Sequence, residues 1–513
     1  MSHPERVRAL DLIDRVLDPG SFRAWNDPLP TLAAPDPDYA AELAAARERT
    51  GLDEALVTGE GRIHARRVAV VACEFDFLAG SIGVAGAERL TLAVERATAE
   101  RLPLVASPTS GGTRMQEGTV AFLQMVKISA AVAAHRAAGL PYLVYLRHPT
   151  TGGVFASWGS LGHVTAAQPG ALIGFLGPRV YQALHDRPFP DGVQVAENLY
   201  EHGLIDAVVP PEELRRVVIR VFDVLGPDAA PPGPPVPSGS AVPDAEVVAE
   251  PLPDVPAWTS VRRSRDPRRP GLRTLLRHGA RSVTPLRGTG EGESEPALRL
   301  VLARFGVGAG PGAPCVVLGQ DRTRQSEHGP FGPAGLRQAR RGMRLAAELG
   351  LPLVTVVDTA GAALSPEAEE GGLAGEIARC LAELVLLPAP TVCLLLGQGS
   401  GGGALALLPA DRVVCAQHGW LSPLPPEGAS AILYRTTDRA PEIADRQGIR
   451  AADLHHSAIV DRVVPEHPDA ATEPVAFVQR VAETLREELD TLRTMDTPTR
   501  LARRRSRYRR LGL

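Results

Sequence analysis

Along this chain, short runs of nearly continuous apolar residues alternate with longer stretches whose apolar positions recur every three or four residues. The first pattern predicts strands buried on both faces, and the second predicts amphipathic helices. In the first half, strands are expected at 69–75, 104–107 and 142–146, with helices at 88–101 and 120–138. The second half repeats the order, with strands at 316–318, 353–357 and 391–395 and helices at 335–349 and 373–387. Such alternation implies βαβ units around parallel or mixed sheets, an α/β fold class.

Between 227 and 256 the periodicity is lost. Ten of those thirty residues are proline, which reads as a semi-rigid linker between a domain at 1–226 and another at 257–513. A Gly-rich acidic stretch at 288–296 predicts a surface loop. The two domains look like copies of each other. Leu102-Pro103-Leu104-Val105 returns as Leu351-Pro352-Leu353-Val354, and Pro141 before Tyr142 returns as Pro390 before Thr391. Gly152-Gly153 aligns with Gly401-Gly402, and every one of these pairs lies 249 residues apart. A common offset over several anchors points to internal duplication.

Composition narrows the chemistry. Lys127 is the single lysine among 513 residues, beside 54 arginines, so a P-loop and a Schiff-base amine elsewhere in the chain are excluded. A net charge of −4 lacks the footprint of a nucleic-acid binder. Cys73, Cys315, Cys380, Cys393 and Cys415 form no C-x-x-C pair and read as reduced core thiols, with no metal site. Mixed charges at 1–17 are unlike a signal peptide, and prolines interrupt the best apolar run, at 381–397. A soluble, cytoplasmic protein with no membrane partner is expected. The seven arginines at 500–510 read as a solvated helix end or tail.

Glycine clusters follow predicted strands: Ser110-Gly111-Gly112-Thr113 and Thr150-Thr151-Gly152-Gly153 in the first half, Ala360-Gly361 and Gly399-Ser400-Gly401-Gly402-Gly403 in the second. Unpaired N–H groups at a helix start, approached closely across glycine, can stabilise an oxyanion; tight strand-to-helix turns are the plainer reading. Gly-x-Ser-x-Gly and His-Glu-x-x-His motifs are absent, and the run from Gly80 to Gly86 lacks the Gly-x-Gly-x-x-Gly spacing. His148, His163 and His202 are isolated, while Glu117, Glu370 and Glu427 show no paired-carboxylate spacing.

Several of these segments carry a family resemblance. Phe75-Asp76-Phe77, Gly80-Ser81-Ile82-Gly83, Ser110-Gly111-Gly112-Thr113-Arg114-Met115-Gln116-Glu117-Gly118 and Glu201-His202-Gly203-Leu204-Ile205-Asp206 resemble the β subunit of acetyl-CoA carboxylase carboxyltransferase. Phe331-Gly332-Pro333, Asp358-Thr359-Ala360-Gly361-Ala362, Gly401-Gly402-Gly403-Ala404 and Pro426-Glu427-Gly428-Ala429 resemble its α subunit. The resemblance covers about 50–220 and 258–490. It implies two tandem crotonase-like domains of ββα superhelix type. The implied reaction moves a carboxyl group from carboxybiotin to an acyl-CoA such as acetyl-CoA, with biotin itself thought to take the α-proton. Gly152 and Gly153 would hold one oxyanion, and Gly402, Gly403 and Ala404 the other. Gly111, Gly112 and Arg114 would shape the CoA side of the cleft, with Gly361 and Ala362 their second-half counterparts at the substrate. Arg262, Arg263, Arg265, Arg268 and Arg269 would take an interface or CoA role.

The β subunit's four-cysteine zinc ribbon has no counterpart, so no metal is carried over. Thr359-Ala360-Gly361-Ala362-Ala363-Leu364 stands where the family reads Thr-Pro-Gly-Ala-Tyr-Pro, which bears on substrate choice. Lys127 lacks flanking methionines and lies in an expected helix, so biotin would arrive on a separate biotin carboxyl carrier protein charged by a biotin carboxylase. The implied assembly is a homo-oligomer. Two rival readings share the motifs: a malonate decarboxylase acting on a malonyl thioester without biotin, and a silent scaffold for a carboxylase partner.

Overall fold

The computed structural model describes residues 4–25, 29, 36–177, 181–182, 187–225, 254–306 and 312–512. The expected linker falls almost wholly outside them. In the first half the strands are β1 (Arg23–Ala24), β2 (Leu56–Ile63), β3 (Arg66–Cys73), β4 (Leu104–Ser107), β5 (Tyr142–Leu146), β6 (Thr150–Thr151), β7 (Val164–Ala167), β8 (Ile173–Gly174) and β9 (Ala207–Val208). In the second they are β10 (Ala280–Leu286), β11 (Leu298–Phe305), β12 (Ala313–Gln320), β13 (Leu353–Thr359), β14 (Thr391–Ser400), β15 (Arg412–Ala416), β16 (Trp420–Ser422) and β17 (Arg462–Val464).

Two sheets repeat one plan. The first runs β1-β2-β3-β4-β5-β7-β9 and the second β10-β11-β12-β13-β14-β15-β17, with β16 beside β14. In each, two antiparallel pairings precede a parallel run. The internal offset survives at the level of register: Leu104 stands opposite Tyr142 and Leu353 opposite Thr391.

Parallel strands need cover on both faces, and side chains alternate along them. Ala69, Val71 and Cys73 of β3, with Tyr142, Val144 and Leu146 of β5, face inward; Val68, Val70 and Ala72, with Leu143 and Tyr145, face an outer helical layer. Leu353, Val357, Cys393 and Leu395 enter the same inner core from the second sheet, while Val354, Val356, Val392 and Leu394 pack outward. A layer of helices from both halves fills the space between, among them Val84–Ala99, Gly118–Ala137, Pro333–Leu349 and Leu373–Leu386. The Gly118–Ala137 helix, with the turn before it, is long and apolar enough to cross a membrane, and its side chains lie mostly inside this shared core. All five cysteines are free and buried.

Cross-half bonds reinforce this layer. Thr119 Oγ1 donates to the carbonyls of Leu421 (3.1 Å) and Gln447 (3.0 Å). The arginine-rich C-terminus differs from the solvated tail expected. It forms the helix Thr497–Arg509, whose Arg504 is buried, grips Asp411 at 2.6 and 2.7 Å, and donates to the carbonyls of Leu384, Leu387 and Ala389. Arg509 continues to Glu88 of the first half, both bonds 2.6 Å. Glu88 also binds Lys127 Nζ at 2.6 Å, where burial lowers the lysine pKa. Arg500, Arg504 and Tyr508, spaced four residues apart, are buried on one face of this helix, which charge counting reads as solvation.

Arg504→Met should leave Asp411 short of its main partner and destabilise the fold by about 3–5 kcal/mol, whereas exposed Arg510→Met should stay within about 0.5 kcal/mol; urea denaturation compares them. His418, buried, accepts at Nε2 from Arg263 (2.7 Å), and burial first of all pushes its pKa from 6.5 down to about 4. The unfolded chain therefore binds the proton first as pH falls, so stability drops from about 6.5 to about 4 and this contribution then flattens. Melting curves across pH should show a shallower acid decline in His418→Gln.

Candidate functional site

Each half brings two glycine turns together at the carboxyl ends of neighbouring parallel strands, the usual ligand position in such sheets. After β4 the chain turns at Gly111-Gly112, and after β5 at Gly152-Gly153. Gly112 (φ +113°) and Gly152 (φ +68°) adopt backbone conformations that glycine permits, and a Cβ on Gly152 would stand 3.1 Å from the Gly112 Cα. Gly111 is exposed and Gly153 half-buried. Gly152 itself offers no donor to a ligand, because its N–H is bonded to the Phe175 carbonyl at 3.0 Å. The N–H groups of Gly153 and Val154 have no hydrogen-bond partner among the described residues.

The second half repeats the juxtaposition. A Cβ on Gly403 would meet the Ala362 nitrogen at 3.2 Å and Phe331 Cζ at 2.7 Å. Gly361 (φ +141°) faces open space, and its N–H donates to Thr359 Oγ1 at 3.1 Å. The short helix Gly401–Leu405 begins directly after β14, so the N–H groups of Gly402 and Gly403 lack intrahelical acceptors, while that of Ala404 closes the first turn on the Ser400 carbonyl. Gly402, however, is closed over: a Cβ there would meet Phe175 Cζ at 2.8 Å.

Arg114 corrects an expectation. Its buried guanidinium binds Glu54 (2.5 and 2.9 Å) and the Ser81 carbonyl (2.7 Å), so it shapes the cleft through the loops it holds and does not reach a ligand. Glu117 works beside it, accepting from Tyr39 (2.5 Å) and the Val84 N–H (2.6 Å). Of the second arginine run, Arg269 is buried on Glu466 at 2.7 Å, Arg265 holds Glu427 (2.5 Å) and Gln398 (3.1 Å), Arg263 caps His418, and Arg268 pairs with Asp266 in solvent. The histidines are structural: His163 accepts from the Tyr142 N–H (3.0 Å), His148 from Leu172 (3.1 Å), and His202 bonds to the Asn198 carbonyl (2.9 Å).

Residues 5–504 match the family described as "Carboxyl transferase domain". The chain belongs to the carboxyl transferase family. It is 62% identical over 509 residues to a "Probable biotin-dependent acyl-coenzyme A carboxylase beta3 subunit" of Mycobacterium tuberculosis, covering 99% of each chain. It is 40% identical over 528 residues to the "Acetyl-coenzyme A carboxylase carboxyl transferase subunits beta/alpha" of Salinispora arenicola, covering 99% of this chain and 91% of that one. A transcarboxylase 12S crystal structure aligns with a TM-score of 0.37 at 17% identity, covering 95% and 90% of the two chains.

In this carboxyl transferase several residues that hold the glycine turns escaped the sequence reading. Gln320, fully buried, donates to the Gly403 carbonyl (2.9 Å) and accepts from the Asp358 N–H (3.0 Å), linking two turns. Asp358 accepts from the Gln398 N–H (3.1 Å), and burial raises its pKa. Glu369 on the helix Pro366–Glu370 accepts from the N–H groups of Phe175 and Leu176. A lone polar residue closing an apolar strand is the available signal for Gln320; Glu369 has none, because its Phe175 partner lies 194 residues away.

At Gly111 a Cβ would meet nothing closer than the Ala79 oxygen at 3.6 Å. Gly111→Leu should therefore melt within about 0.5 kcal/mol of the parent, while Gly112→Leu, forced into a left-handed conformation, should lose about 1–3 kcal/mol; thermal unfolding of the pair checks this.

Proposed function

We propose that this chain is the carboxyltransferase component of a biotin-dependent acyl-CoA carboxylase, with acetyl-CoA or a similar short acyl-CoA as acceptor. The observation that carries the reading is the paired glycine turn, present once in each half. Two sites lined by glycine and backbone N–H suit two carbonyl oxygens, that of an acyl thioester and that of the biotin ureido ring. When bound, carboxylated biotin supplies the carboxyl group. The protein contributes placement and charge stabilisation: the Gly153 and Val154 N–H groups at one turn, and the first-turn N–H groups of Gly401–Leu405 at the other, face developing negative charge on oxygen. Gly361 lines the approach to the second turn.

The buried, ion-paired Lys127 supports a carboxyl donor carried on another protein, because its amine is committed to Glu88. A separate biotin carboxyl carrier protein and a biotin carboxylase follow from this reading. So do a crotonase-like nature for both halves, homo-oligomeric assembly and cytoplasmic residence. The names of the two relatives agree with the activity class; acetyl-CoA as acceptor is the narrower part of the proposal.

The reaction can be run in reverse. Purified protein given malonyl-CoA and free biotin should form acetyl-CoA at a rate that depends on biotin. No biotin-dependent product from malonyl-CoA or from other malonyl-type CoA esters would overturn the proposal, and loss of carbon dioxide without biotin would favour a decarboxylase.

A further inference from the structure

Phe175 belongs to the first half but touches both glycine sites. The ribbon of β6 and β8, paired in parallel, carries the chain from Thr150-Thr151 into the Gly152-Gly153 turn and from Ile173-Gly174 into Phe175. The Phe175 carbonyl accepts the Gly152 N–H (3.0 Å), which fixes the first glycine turn. Its ring lies against Gly402, where a Cβ would come within 2.8 Å of Cζ, and so backs the second turn. Any larger residue at 402 would displace the ring.

The second half holds Phe175 in return. Its N–H donates to both oxygens of Glu369 at 2.9 Å, and Oε1 of that carboxylate also accepts from the Leu176 N–H (3.2 Å) and from Gln194 Nε2 (2.7 Å). Gln194 closes the loop by donating to the Leu176 carbonyl at 2.7 Å. Glu369 is partly buried and has no cation among these partners. Loss of hydration raises its pKa while the N–H donors lower it. A carboxylate bound by several N–H groups is a directional anchor, since charge-assisted bonds are shorter and stronger than neutral ones.

We propose that Phe175 and Glu369 are positioning residues that couple the two glycine sites of one chain, so that the turn at Gly152-Gly153 and the turn at Gly402-Gly403 are set by a single shared contact. The catalytic side of this inference rests on the function proposed above; the mechanical side does not. It explains why a carboxylate from one half is spent on the backbone of the other, beside both turns.

Two measurements separate the parts. Hydrogen exchange followed by mass spectrometry on the full chain should show protection falling together at 150–154 and 399–405 in both Phe175→Ala and Glu369→Ala, because local stability is shared within a contiguous unit. In the biotin-dependent assay each variant should lose about tenfold or more in kcat, with smaller changes in KM. Phe175→Leu and Glu369→Gln, which keep most of the packing and one acceptor oxygen, should recover part of that loss. The double alanine variant should be little worse than Glu369→Ala alone, as expected for residues in one device. Exchange that changes on one side only, or full activity in folded alanine variants, would overturn the coupling. If an alanine variant fails to fold, Phe175→Leu and Glu369→Gln still decide: equal exchange and kinetics to the parent in both would overturn it. An inert parent protein with coupled exchange would instead refute the proposed function and leave the coupling standing.

Discussion

The central parallel strands of both sheets, β4, β5, β13 and β14, are buried on both faces, and the inner faces of the two sheets are covered by a helical layer to which both halves contribute. That constraint organises the rest. It places Gly118–Ala137 of the first half against Leu373–Leu386 of the second in one continuous core, with Thr119 reaching carbonyls beyond residue 420. Neither half could expose this face without presenting a large apolar patch to water. The duplicated halves are therefore one folding unit in energetic terms, although their strand orders repeat separately.

The glycine turns are a second-order consequence of the same packing. Parallel strands end together, so the turns after adjacent strands meet, and they meet so closely that a Cβ on Gly152 would stand 3.1 Å from the Gly112 Cα. In the first half the N–H groups of Gly153 and Val154 are left without a hydrogen-bond partner among the described residues. In the second half the same approach is sealed on its far side by Phe331 and Phe175. Sites of this kind depend little on side-chain chemistry and heavily on the rigidity of what stands behind them, which is supplied by Arg114, Gln320, Asp358 and Glu369.

How much could be read from the residues follows from the range of each interaction. Strands β3, β4, β5, β13 and β14 were visible because their apolar runs are local, and the 249-residue offset exposed the duplication because Pro and Gly anchors recur in the same local pattern. The helix expected at 373–387 begins where the structure has it, while the other three begin two to four residues earlier than expected: Val84–Ala99 starts at a glycine N-cap without a side-chain bond, which gives no polar signal. The glycines of the site were found as local clusters, yet which N–H is free was hidden, since the Phe175 carbonyl that occupies Gly152 lies 23 residues away in another turn. Arg114, which the resemblance places on the CoA side of the cleft, is an internal brace; its partner Glu54 is 60 residues distant. The C-terminal arginines look solvated locally because their partners Asp411 and Glu88 come from far along the chain.

The position of the single lysine bears on handling as well as chemistry. A lysine-specific protease has one bond to cut among 513 residues, and that bond lies in a helix whose Lys127 is wrapped by Glu88 and the Leu511 carbonyl. Cleavage there requires the Gly118–Ala137 helix itself to unfold out of the shared core, with the C-terminal helix lifted from it. The appearance of two fragments under such a protease thus reports loss of the common core, with no background from surface nicking.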